Sequence, residues 1–282
     1  MKKKQLIKKY KEYILDEIRQ NQNNRTDKRG RPLSHSYSYY LNKILKVLFY
    51  GHTWESLTCV CNISTIKRHF YKLRDYGIFQ NAYYKLFEKY IQEKGRIEML
   101  FIDATIIGNK NANEHIDIGK KIKGKKSSSL TALVTEDRIT VAYTITESKS
   151  HDIVHLDTIV DNIPKNISIS YHNPLYIVGD KGYISNERKL KYKKKNIILV
   201  YPNRKNAVKK TTYRNKQILK KRFVVEASFA HLKNGYQRLQ VRYDRQTRNY
   251  ETFLIMAFSC QIIKYLCSKR KFGEFLTNNF QI

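Results

Sequence analysis

Residues 97–107 read IEMLFIDATII, and from Met99 onward the run is apolar but for Thr105 and one carboxylate, Asp103. The run follows Gly95, where the hydrophobic period changes from helical to strand-like, so these residues predict a strand. An ionised carboxylate inside such a run is costly unless something pairs with it. Residues 175–183 repeat the pattern: LYIVGDKGY predicts a second apolar strand that ends at Asp180, with Gly182 permitting a sharp turn after it. A third carboxylate, Glu226, lies in the helical stretch RFVVEASFAHLK.

Between and around these points the elements follow in a readable order. The segment SSLTALVTEDRITVAYTIT predicts a hairpin turning at Glu136 and Asp137. Residues 151–163 predict a helix, 175–179 a strand, 186–195 a helix and 196–201 a strand. Residues 108–126 and 202–215 read as basic loops, and two long helices close the chain, one carrying Glu226 and one over 247–266. Three strands in a meander followed by alternating helices and strands give an α/β mixed sheet with helices on its faces. That order matches a ribonuclease H-like fold, in which the first and fourth strands are neighbours and Asp103 and Asp180 stand side by side.

The first 95 residues read as helical. Leu6, Ile7, Tyr10, Ile14 and Ile18 recur at helical spacing, then the polar stretch QNQNNRTDKRGRP interrupts. Tyr40, Ile44, Val47 and Leu48 share a face, Trp54, Leu57 and Val60 suggest a short second element, and STIKRHFYKLRDYGIF predicts a third helix capped by Ser64. Residues 52–78 are therefore a candidate helix-turn-helix, with Thr65, Lys67, Arg68 and Lys72 toward DNA. The alternative is a plain three-helix bundle with a solvated basic face. The division expected is a helical DNA-binding region over 1–95 and a catalytic domain over 96–282.

Charge narrows the partner. Lys and Arg total 55 against 24 Asp and Glu, a net charge of +31, while 41% hydrophobic residues describe a packed globule rather than a basic tail. Double-stranded DNA is the expected partner. Cys59, Cys61, Cys260 and Cys267 match no zinc or redox spacing and read as buried thiols in a reducing compartment, cytoplasmic or nucleoid-associated if bacterial. The charged N-terminus does not read as a signal peptide, and residues 253–266 are too short and too polar to span a bilayer, so no membrane partner is expected.

Carboxylates in the order Asp, Asp, Glu suit a pair of divalent cations, Mg²⁺ with Mn²⁺ as substitute, clamping an in-line displacement at phosphorus. Asp103 is the candidate bridge, flanked by Asp180 and Glu226. Arg222 and Lys233 stand one turn before and two turns after Glu226 and are candidate phosphate contacts, although an i to i+4 ion pair would equally explain Arg222. Arg238 and Arg242, interleaved with Tyr236 and Tyr243, are further DNA-binding candidates.

The segments FIDATII, LTALVTEDRITVAYTITESKSHD, IVGDKGYIS and RFVVEASFAHLKNGYQRLQVRYDRQTRNY resemble successive blocks of bacterial insertion-sequence transposases of the DDE type. KRGRPLSHSYSYYLNKILKVLFYGHTWESL more loosely resembles their helical DNA-binding region. The resemblance implies a ribonuclease H-like catalytic domain using Mg²⁺ at Asp103, Asp180 and Glu226. It also implies cleavage of element ends with joining to target DNA, by a homodimer holding two ends. The family signature Tyr-x2-Arg-x3-Glu-x6-Lys is met by Arg222, Glu226 and Lys233, with Leu219 in the tyrosine position. Two rivals are an inactive DNA-binding derivative and a metal-dependent nuclease that cuts without joining.

Overall fold

The computed structural model describes residues 1–23, 33–118, 124–203 and 211–279. Most of the polar stretch after residue 20 and parts of both basic loops lie outside these residues. The chain forms two compact units. One gathers residues 1–93, 235–239 and 248–282; the other gathers 94–234 and 240–247.

The first unit is helical: α1 (Lys3–Asn23), α2 (Tyr37–Tyr50), α3 (Ile63–Asp75), α4 (Ile78–Lys94) and the C-terminal α9 (Thr247–Asn279). Leu6, Tyr10, Ile14 and Ile18 are buried along α1, as their spacing predicts. Ser36 caps α2 by accepting from the Tyr39 N–H at 3.3 Å. The helix ends where Gly51 adopts φ +68° and donates to the Val47 carbonyl. Phe253 of α9 stacks on Phe70 with ring centroids 4.9 Å apart, and Met256, Ala257, Phe258, Cys260 and Ile262 are buried too. A helix so broadly apolar belongs inside a core, and α9 completes this helical core rather than the catalytic half expected over 96–282.

Residues 52–62 form a turn at Thr53 to Ser56 and no helix, so the candidate helix-turn-helix is not formed. Thr53 folds the segment locally, its hydroxyl accepting from the Ser56 N–H at 3.2 Å and its carbonyl accepting from the Ser56 hydroxyl at 3.0 Å. Trp54 and Leu57 are buried, but Val60 is 88% exposed and supplies no third anchor. Asn62 rather than Ser64 caps α3, accepting from the Ser64 N–H at 2.9 Å. Arg68 and Lys72 are exposed on α3, and Lys67 pairs with Glu55 at 2.7 Å. Tyr76 caps the C-terminus of α3, and Gly77 after it, at φ +67°, separates α3 from α4.

The second unit contains β1 (Met99–Asn109), β2 (Asp117–Ile118), β3 (Lys126–Thr135), β4 (Thr140–Glu147), α5 (Leu156–Asp161), β5 (Leu175–Val178), α6 (Asn186–Lys193), β6 (Ile197–Val200), α7 (Tyr213–Lys220), α8 (Phe223–Gly235) and β7 (Val241–Arg242). β1 pairs antiparallel with β3 and parallel with β5, β3 pairs antiparallel with β4, and β5 pairs parallel with β6. The order β4-β3-β1-β5-β6 is the expected ribonuclease H-like arrangement, with β1 central and buried at Leu100, Phe101, Ile102 and Ile107. The hairpin turns at Glu136 and Asp137 as predicted, with Arg138 at φ +64°. β2 and β7, two residues each, add short pairings to β3 and β1.

Candidate active site

Parallel pairing of β1 with β5 aligns Phe101 with Val178. Two residues further along come Asp103, inside β1, and Asp180, just past the end of β5 where neighbouring strands lie about 4.8 Å apart. The close approach depends on Gly179, whose absent Cβ would meet Ile102 Cγ2 at 2.8 Å and the Tyr183 ring at 3.1 Å. Gly182 has no left-handed backbone; it contributes instead its N–H, which donates to Asp180 Oδ1 at 2.7 Å. One oxygen of Asp180 is thus anchored to the short 3-10 turn Lys181–Tyr183.

The predicted glutamate helix is broken at residues 221–222 into α7 and α8, so Glu226 falls in the first turn of α8. A carboxylate there is favoured by the positive end of the helix dipole. Arg222, in the break, joins the set: its Nη1 lies 3.6 Å from Asp103 Oδ2 and its Nη2 lies 3.2 Å from Glu226 Oε1. The i to i+4 pair foreseen between Arg222 and Glu226 exists, and the same guanidinium also reaches the strand carboxylate. Burial pushes the Asp103 pKa upward. The Ala104 N–H and Arg222 oppose the shift, while the charges of Asp180 and Glu226 add to it.

Asp180 and Glu226 therefore both act on Asp103, with one guanidinium offsetting part of the charge. Among the described residues, no three His, Cys, Asp or Glu side chains stand close enough to enclose an ion as placed. The donor chemistry, hard carboxylate oxygens carrying surplus negative charge, fits a hard divalent cation such as Mg²⁺.

Lys233 is half-buried, and its ammonium donates to Thr105 Oγ1 at 2.7 Å and to the Ile106 carbonyl at 2.9 Å. Burial lowers its pKa. Arg238 and Arg242 are corrections. They are 2% and 0% exposed, which leaves neither guanidinium a surface for phosphate. Arg242 donates to the carbonyls of Glu114, Asp244 and Arg245 and to Thr247 Oγ1. Arg238 lies 5.5 Å from the Phe253 ring centroid inside the helical unit. Thr105 was missed by the sequence reading, and its place two residues after Asp103 on the same face of β1 was the available signal.

Residues 94–261 match the family model described as the transposase DDE domain. The chain belongs to that family. It is a DNA transposase, and the DDE domain spans both the sheet and the glutamate helix. Among solved structures it is similar to a cryo-EM piggyBac transposase synaptic complex with hairpin DNA, at 8% identity and a TM-score of 0.46, covering 92% of this chain and 70% of that one. It is also similar to the crystal structure of the Mos1 strand transfer complex, at 10% identity and a TM-score of 0.33, covering 90% of this chain and 67% of that one. No curated protein matches the chain. Among the described residues, no helix is long and apolar enough to cross a membrane.

Proposed function

We propose that this transposase cleaves element ends and joins the freed 3′-hydroxyls to target DNA, with Asp103, Asp180 and Glu226 as its metal-binding catalytic set. The observation that carries the reading is the convergence of Asp103 and Glu226 on Arg222, with Asp180 one strand away and adding to the charge at Asp103. Asp103 sits on the rigid central strand and suits a bridging ligand; Asp180 and Glu226 suit flanking positions. Two Mg²⁺ ions held by such a set would activate the attacking oxygen and stabilise the leaving oxygen of an in-line displacement.

Arg222 has a second task in this reading. Its guanidinium compensates Asp103 and Glu226 when no cation does so, and is long enough to turn to a DNA phosphate when one does. Arg68 and Lys72, exposed on α3, belong to the proposed DNA surface of the helical unit, with Lys67 beside them. Double-stranded DNA and a second copy of the chain, one per element end, are the partners proposed.

The test incubates the protein with labelled DNA from the gene's flanks, Mg²⁺ or Mn²⁺, and a plasmid target. Cleavage and transfer of label to the plasmid are expected, with both lost in Asp103→Asn, Asp180→Asn and Glu226→Gln. Cutting without transfer would mark a nuclease; binding without either would mark an inactive derivative.

A further inference from the structure

β1 has β3 along one edge over residues 100–108. Among the described residues its other edge is paired only at the ends, with β5 at residues 99–101 and with β7 at 108–109. Residues 102–107 therefore have no strand partner on that side, and Asp103 lies in this gap. A backbone carbonyl left without a donor in a half-buried place is costly. The Lys233 ammonium meets one, the Ile106 carbonyl, and takes the Thr105 hydroxyl with it.

The spacing gives this contact a consequence for the site. Asp103 and Thr105 share one face of β1, about 7 Å apart along the strand. Glu226 and Lys233 lie seven residues apart on α8, two turns and about 10 Å along one helix face. Strand and helix thus meet at two rungs: Asp103 to Glu226 through Arg222, and Thr105 to Lys233 directly.

We propose that Lys233 is a positioning residue, which holds α8 against the open edge of β1 and so sets the separation of Glu226 from Asp103, rather than a ligand for DNA phosphate. The inference rests on the reading of Asp103, Asp180 and Glu226 as the catalytic set. Two of the ammonium's three N–H groups are spent on β1, and its burial favours a fixed internal role over a solvated one. An error of about 1 Å in such a set costs on the order of 100-fold in rate.

The experiment compares Thr105→Val, Thr105→Ser, Lys233→Met and the double variant Thr105→Val with Lys233→Met, each checked for folding by circular dichroism and thermal melting. Positioning predicts that Thr105→Val and Lys233→Met each slow single-turnover cleavage at saturating DNA by about 10- to 100-fold. It predicts that the double variant is no slower than the worse single one, because both remove one contact. Thr105→Ser, which restores the hydroxyl, should cleave at the wild-type rate. Affinity for DNA and its salt dependence should stay unchanged, while Mn²⁺ affinity without DNA should fall in both single variants.

A phosphate contact predicts the reverse: Thr105→Val is silent, while Lys233→Met weakens DNA binding and lowers the salt slope by about 1. That result overturns the proposal. If Asp103→Asn or Glu226→Gln still cleaves, the catalytic reading itself fails. If those are dead but Thr105→Val cleaves normally, only the positioning role fails.

Discussion

Arg242→Met separates an architectural arginine from a DNA-binding one. The wild-type guanidinium is fully buried and donates to three backbone carbonyls, those of Glu114 at 2.9 Å, Asp244 at 3.1 Å and Arg245 at 3.2 Å, and to Thr247 Oγ1 at 3.0 Å. Methionine keeps much of the volume and none of the donors. A hydrogen bond from a charged donor contributes about 1.5–3 kcal/mol, and the bonds in one network do not add. Methionine would leave three buried or part-buried carbonyls without this donor at about 1–3 kcal/mol each, not fully additive, so a loss of about 3–5 kcal/mol is expected. In a unit of this size it lowers the melting temperature by roughly 10 °C. The measurement is thermal and urea unfolding, with DNA affinity determined well below the transition, where binding should be preserved. A variant that melts within about 1 °C of wild type but loses DNA affinity would refute the architectural role.

Three other perturbations probe the second unit. Burial raises the Asp103 pKa in the fold, so the folded state holds that proton more tightly than the unfolded one and stability falls as pH rises above the ordinary carboxylate value of 3.8. Asp103→Asn should therefore melt higher than wild type at neutral pH, with the gap closing near about pH 3; an equal or lower melting temperature at pH 7 would contradict this. Gly179→Ala places a methyl 2.8 Å from Ile102 Cγ2, beside Asp103. The variant should lose about 1–3 kcal/mol and much of its cleavage rate, and unchanged values in both would show that the strands can separate freely. Asp157 is partly desolvated, yet bonds from Tyr192, Lys191 and Arg188 hold its carboxyl down to about 2. This contribution is present above the unfolded value and lost as pH falls through about 2. Asp157→Asn should cost about 1–2 kcal/mol at pH 7, and a loss that persisted unchanged in strong acid would point to packing instead.

Local patterns that repeat over several residues were legible in the chain. The apolar runs at 97–107 and 175–179, the hairpin at Glu136 and the helix around Glu226 all state their period; Asp103 falls inside β1 and Asp180 just beyond the end of β5. Less legible was whatever depends on residues far apart in sequence. Arg238 and Arg242 look like surface residues among tyrosines, and only carbonyls delivered from Glu114 and Arg245 make a buried place for Arg242. The spacing of Trp54, Leu57 and Val60 suits a helix, but the Thr53 hydroxyl offers the backbone a turn instead. Lys233 carries the charge expected of a phosphate ligand, and nothing local says that β1 would leave a carbonyl open for it. The fate of α9 was hidden for the same reason: its apolar surface predicts burial, not which helices bury it.

The division of the chain has a bearing on how the protein is made. Residues 1–93 are synthesised well before their partner, since the helix whose Phe253 packs on Phe70 follows more than a hundred residues later. At about 5–20 residues per second the nascent α1 to α4 wait roughly 10–30 s with that apolar surface bare. The sheet unit, nearly continuous in sequence, has its strands in hand before then. Cotranslational folding should therefore begin in the sheet unit, leaving α1 to α4 as clients for a chaperone until α9 arrives. For the same reason a truncation after residue 95 makes a poor expression product, and a soluble helical module needs residues 248–268 supplied, in cis or as a second polypeptide.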